Sequence, residues 1–166
     1  VSSSDYVSVF ALQGTTLNNN SGTSTTAPSY NLYTGQPNYT ATLTQGTTYV
    51  ANATVGFSNQ AFAVWIDFND NANFEASEKV GFTTTNVNTP SGTFNITIPC
   101  NATVGAHKMR VRMVYAAVGN AIDPCTSATF GEAEDYVVTI AALAAPTGNA
   151  TQAFCGAPTV ANLVAT

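Results

Sequence analysis

The chain has 166 residues and a mass of 17.2 kDa, the size of one domain with appended pieces rather than of two full domains. Charged residues make up 8%, against about 25% in ordinary domains, and the net charge of −5 leaves only Lys79, Lys108, Arg110 and Arg112 as cations. That balance excludes the basic footprint of a phosphate-backbone binder and argues against nucleic acid as a partner, and no run of about 18 apolar residues suggests a membrane span. The missing charge is replaced by neutral polar residues, among them 26 threonines. Threonine is β-branched, suits a solvated strand face and works poorly in helices, so the composition favours an all-β protein. Scarce lysine with abundant Thr and Asn points to an extracellular or cell-surface setting.

Taken in order, residues 17–28 form a polar loop between an N-terminal strand and Tyr30. Tyr49, Ala51, Ala53, Val55 and Phe57 then alternate with Val50, Asn52 and Thr54, as a half-buried strand requires. The same period appears in Phe62, Val64, Ile66 and Phe68, in Phe94, Ile96 and Ile98, in Met109, Val111, Met113 and Tyr115, and in Tyr136, Val138 and Ile140. Gln45-Gly46, Pro90-Ser91-Gly92 and Gly119-Asn120 supply turn chemistry between these runs. Seven or eight short strands predict an antiparallel β-sandwich, jelly-roll or immunoglobulin-like, with long polar loops. Composition shifts to Ala, Pro, Thr and Gly after residue 141, placing a domain boundary between residues 1–141 and 142–166.

Eight of the nine carboxylates fall in two short windows. In the first, Asp67, Asn69, Asn71, Asn73, Glu75 and Glu78 occupy positions 1, 3, 5, 7, 9 and 12 of a loop. That is the spacing of a calcium loop, in which alternate residues turn oxygens inward and a final Glu binds through both of its own. Asp67, Asn69, Asn71 and Glu78 are the expected Ca2+ ligands, with Asn73 contributing its backbone oxygen. Position six, usually Gly, is Ala72, and an Asn-rich hairpin turn holding no ion is the competing reading. The second window holds Asp123, Glu132, Glu134 and Asp135, the last three lying within four residues and repelling one another unless a cation lies close. Lys108, Arg110 and Arg112, alternating on one face of a predicted strand, are the expected counter-charges, either alone or beside a metal ion.

Three ordered stretches carry a resemblance: Trp65-Ile-Asp-Phe-Asn-Asp-Asn-Ala-Asn-Phe, Met109-Arg-Val-Arg-Met-Val-Tyr, and Gly131-Glu-Ala-Glu-Asp-Tyr-Val-Val-Thr-Ile. With Leu43-Thr-Gln-Gly-Thr-Thr-Tyr ahead of them, they resemble the GEVED domain, named for its Gly-Glu-Val-Glu-Asp signature, with Ala133 in place of the valine. The resemblance implies a β-sandwich accessory module in large secreted or surface proteins of Bacteroidetes-type bacteria, and it does not imply catalysis. The tail, residues 145–166, resembles the opening of an immunoglobulin-like repeat; residues 142–166 then read as a linker and first strand, or as a strand exchanged with a neighbouring subunit.

Catalysis needs a nucleophile with a base, or paired carboxylates flanking a bond, and the sole imidazole, His107, reads better as a satisfied side chain, so no enzyme is expected. Cys100 and Cys125 lack zinc-ligand spacing. A disulfide between them would close a loop of about 25 residues and contribute roughly 3 kcal/mol. Trp65 faces either outward or into a second layer, and Tyr30, Tyr33 and Tyr39 stand near a polar region that can line a groove. The expected function is a non-catalytic, calcium-stabilised extracellular module of a cell-surface adhesin or filament that meets adjacent domains or copies of itself. The alternative is a carbohydrate-binding accessory module of a secreted enzyme, with glycans as ligands.

Overall fold

A computed structural model describes residues 5–22 and 30–144. The fold is all-β: a ten-stranded, mostly antiparallel sheet curls until its two halves face each other. One half carries β1 (Val7–Leu12), β5 (Thr48–Val55) and β8 (Ser91–Thr97), with the two-residue β2 (Asn18–Asn19) at its edge. The other carries β6 (Gln60–Ile66), β9 (Gly105–Tyr115) and β10 (Gly131–Ala141), with β7 (Lys79–Phe82) linking β6 to β8. The short β3 (Tyr30–Leu32) and β4 (Thr42–Thr44) pair parallel to β10. No helix of the described residues is long and apolar enough to cross a membrane.

Period-two burial builds the core between the halves. Ala51, Ala53 and Val55 point inward from β5, opposite Phe62, Val64 and Ile66 of β6 and Met109, Val111 and Met113 of β9. Ring contacts bridge the halves: Phe62 stacks on Phe94 at 5.6 Å and Phe10 tilts against Tyr136 at 5.9 Å. Phe57, expected to continue the β5 face, lies beyond the end of the strand and is 48% exposed. Every residue of β6 is buried, because a second apolar layer covers its outer face. Ala61, Ala63 and Trp65 pack there with Phe74 and Ile122 from two loops. Trp65 therefore faces the second layer and is 1% exposed, with the Lys79 ammonium 5.0 Å over its ring.

The disulfide expected between Cys100 and Cys125 is not formed; both are exposed free thiols. Different elements hold them. Cys100 sits in the turn after β8, closed by the Ala102 amide donating to Pro99. Cys125 sits in a loop over β9, its amide bound to Asp123 at 2.8 Å and its Sγ 3.6 Å from Arg110 Nη1. The strand β10 ends at Ala141; the linker and repeat opening read into 142–166 fall, past residue 144, outside the described residues.

Gly131 opens β10 at φ 139°, where a Cβ would stand 2.1 Å from the carbonyl oxygen of Met113. Glycine permits both the backbone angle and the close approach. A Gly131→Ala variant is expected to lose more than about 2 kcal/mol in urea denaturation, and a loss of a few tenths would show that the strand start yields easily.

Candidate functional site

The loop after β6 folds on its own side chains. Asp67, 3% exposed, accepts the amides of Asn71 at 3.1 Å and Ala72 at 2.9 Å. Glu78, 4% exposed, accepts the amides of Phe68 at 2.9 Å and Glu75 at 3.1 Å. The first and twelfth positions thus chelate both ends of the loop. Asn69 Oδ1 accepts the Asn71 amide and Asn71 Oδ1 the Asn73 amide, side-chain turns that let Asn and Asp replace backbone bonds. Asp70 and Ala72 take φ values of 55° and 65°, so Ala72 adopts the left-handed conformation for which such loops favour Gly. Glu75 gathers the Asn69 and Asn71 side-chain amides. Burial and the adjoining Glu75 carboxylate push Glu78 above the usual range, against the pull of the backbone amides it accepts. Among the described residues no three His, Cys, Asp or Glu side chains converge as a metal cage, so an ion here would draw on asparagine and backbone oxygens as well.

The loop docks on the outer face of β9 and β10. Arg110 donates from Nε and Nη2 to the two oxygens of Asp135, at 2.7 and 2.8 Å. The Phe74 ring lies 4.6 Å from the guanidinium and the Tyr30 ring 5.7 Å, contacts favourable through the ring quadrupole. Tyr30 also donates its hydroxyl to Asp135 Oδ2 at 2.9 Å. Asp135 is fully buried, and the hydrogen bonds it accepts, together with its charge, raise Arg110 further above its usual range against the opposing effect of burial. The sequence does not by itself place Phe74 and Tyr30 at this site; Phe74 inside the first acidic window was the available signal, and nothing local marks Tyr30.

Glu132 and Glu134 do not join that pair. Successive strand residues face opposite ways, so Asp135 points outward while these two point into the core beside Tyr136. Glu132 accepts the Val7 amide at 2.7 Å and the Asn31 side-chain amide at 2.6 Å, tying β1 and β3 to β10. Tyr136 accepts from Asn19 Nδ2 at 2.9 Å and donates to Glu134 Oε2 at 2.7 Å. Arg112 misses all three carboxylates and donates to the carbonyls of Pro124 and Thr126. The expected single cluster around both arginines is thus corrected to one ion pair, Arg110 with Asp135, and a separate buried network.

His107 is 2% exposed, its Nδ1 3.0 Å from Asp70 Oδ1 and its Nε2 2.9 Å from the Thr103 carbonyl. Tyr33 packs between Tyr39 and Tyr136 rather than lining an open groove. Tyr30 is exposed and borders a cleft beside Arg110, and a second group of exposed rings runs from Phe57 to Tyr115 to Phe130.

Burial, reinforced by the Glu132 charge, pushes Glu134 up to about 8 from an ordinary 4.5. The folded state then keeps a proton that the unfolded chain releases, so the stability linked to it is full below pH 4.5 and is lost as the pH rises through about 8. Glu134→Gln is expected to flatten this dependence and to be more stable than the wild type at pH 9 by about 2 kcal/mol or more. Denaturant midpoints of both proteins from pH 5 to 9 decide; parallel curves would show that Glu134 ionises without penalty.

A comparison with curated proteins finds no match to the chain. Residues 61–139, which run from β6 almost to the end of β10 and include the loop, the two arginines and the Gly131–Asp135 signature, match the family model of the GEVED domain.

Proposed function

We propose that the chain is a non-catalytic extracellular module of a cell-surface adhesin or filament, stabilised by Ca2+ in the loop of residues 67–78. The observation that carries this reading is the loop's arrangement. Asp67 and Glu78 sit buried at its base, Asn69 and Asn71 direct side-chain oxygens to amides of the loop, and Ala72 adopts the turn of a glycine. The side-chain oxygens of Asp67, Asn69, Asn71 and Glu78 are hard donors suited to Ca2+. Ion binding would release the Asn69 and Asn71 amides from Glu75 so that Asp67, Asn69, Asn71, Glu78 and the Asn73 carbonyl can serve. The GEVED match supports an accessory module of a multidomain protein. The enclosure of His107 between Asp70, Thr103 and Phe68 supports a non-catalytic role. Carbohydrate binding, the second reading, no longer rests on Trp65, which is covered, but on the exposed row Phe57, Tyr115 and Phe130.

An ion bound only by the folded state stabilises it by mass action, by about 2.7 kcal/mol at a hundredfold excess over Kd. The melting temperature is expected to rise with millimolar CaCl2, to fall with chelator, and to lose both responses in Asp67→Asn/Glu78→Gln. An unchanged wild-type midpoint, or the same response in the double variant, would overturn the calcium assignment. A glycan array run on wild type and Phe57→Ala tests the second reading.

A further inference from the structure

The loop of residues 122–130 and the outer face of β9 and β10 enclose a cleft of about 330 Å³, lined among others by Arg110, Arg112, Ser127 and Ala133. The chain has two arginines, and both stand here, two residues apart on one strand face. Their situations differ. Arg110 is neutralised by Asp135 through two hydrogen bonds. Arg112 is 8% exposed and has no carboxylate partner among the described residues; it donates only to the carbonyls of Pro124 at 3.2 Å and Thr126 at 3.0 Å. Its Nε has no partner at all among them. Asp123, whose charge acts on Arg112 through space, spends Oδ1 on the amides of Cys125 and Thr126. The Glu132 carboxylate, though its residue borders the cleft, is held by Val7 and Asn31.

A buried charge without a counter-ion is costly, and a second guanidinium alongside adds to the cost. Guanidinium carries five N–H donors, of which Arg112 uses two. A carboxylate in the cleft can accept from the second hydrogens of Nη1 and Nη2 and supplies the missing charge. We infer that this cleft is a binding site for the carboxylate of a small polar molecule, with Arg112 as its charge partner. The small side chain of Ala133 and the hydroxyl of Ser127 leave space for a polar ring beside the carboxylate, as in a sugar acid.

The test uses the whole chain in buffer freed of divalent cations. Each arginine gives one Nε–H resonance, and Arg110→Lys identifies which belongs to Arg112. Titration with sodium glucuronate to tens of millimolar is expected to move the Arg112 resonance along a saturating curve, while glucose and sodium chloride at matched concentration leave it in place. Acetate that saturates as tightly as glucuronate would assign recognition to the carboxylate alone, and tighter glucuronate would assign a share to the ring; either supports the site. Arg112→Gln should abolish saturable glucuronate binding in calorimetry; if that variant unfolds, the wild-type titration decides alone. A linear drift with glucuronate, or an equal shift with glucose or chloride, would overturn the inference.

Discussion

The ion pair between Arg110 and Asp135 is the contact on which the outer half of this molecule depends. Asp135 is fully buried, and a carboxylate so far from water is tolerable only with a charge partner of good geometry. Arg110 provides two parallel bonds to it, and its flat guanidinium in turn supports Phe74 from the loop of residues 67–78 and Tyr30 from β3. Four segments distant in sequence thus meet at one pair of charges. Through Phe74 the acidic loop is fixed to β9 and, by the ion pair, to β10, and that loop in turn helps to bury Trp65 and the outer face of β6.

Each position of the Gly131–Asp135 signature then has its own physical reason. Gly131 allows the approach of the Met113 carbonyl, Glu132 ties in β1 and β3, Glu134 meets Tyr136 in the core, and Asp135 binds Arg110 on the other face. Ala133 borders the Arg112 cleft, where a larger side chain would take up space. Alternation along one strand lets five consecutive residues serve two faces of the sheet.

Alternation also explains what was legible in the sequence and what was not. The apolar runs of β5, β6, β8, β9 and β10 were readable because one face of each must be buried. Glu132, Glu134 and Asp135 were grouped as one cluster because they are neighbours in the chain, although the same period separates them onto opposite faces. Phe57 followed the β5 period, but the Gly56 amide turns to the Tyr6 carbonyl where the strand ends, and no period marks such an end. The enclosure of Trp65 depends on two loops folding back, which local pattern does not encode. The cysteine pairing failed for a similar reason: the spacing of Cys100 and Cys125 says nothing about which element presents each thiol. In the acidic loop, the turns that Asp67, Asn69 and Asn71 make with loop amides follow from the habits of Asn and Asp and were legible, whereas the part taken by Glu75 in holding the two asparagine amides was not.

The central claim is that Arg110 and Asp135 stabilise each other directly, and a double-mutant cycle with Arg110→Met and Asp135→Asn measures it, read by urea denaturation at neutral pH. A coupling energy of about 2 to 3 kcal/mol is expected, with Arg110→Met alone losing about 3 to 5 kcal/mol because it leaves a buried charge without its partner. A coupling below about 0.5 kcal/mol, the range of a solvated surface pair, would contradict the account.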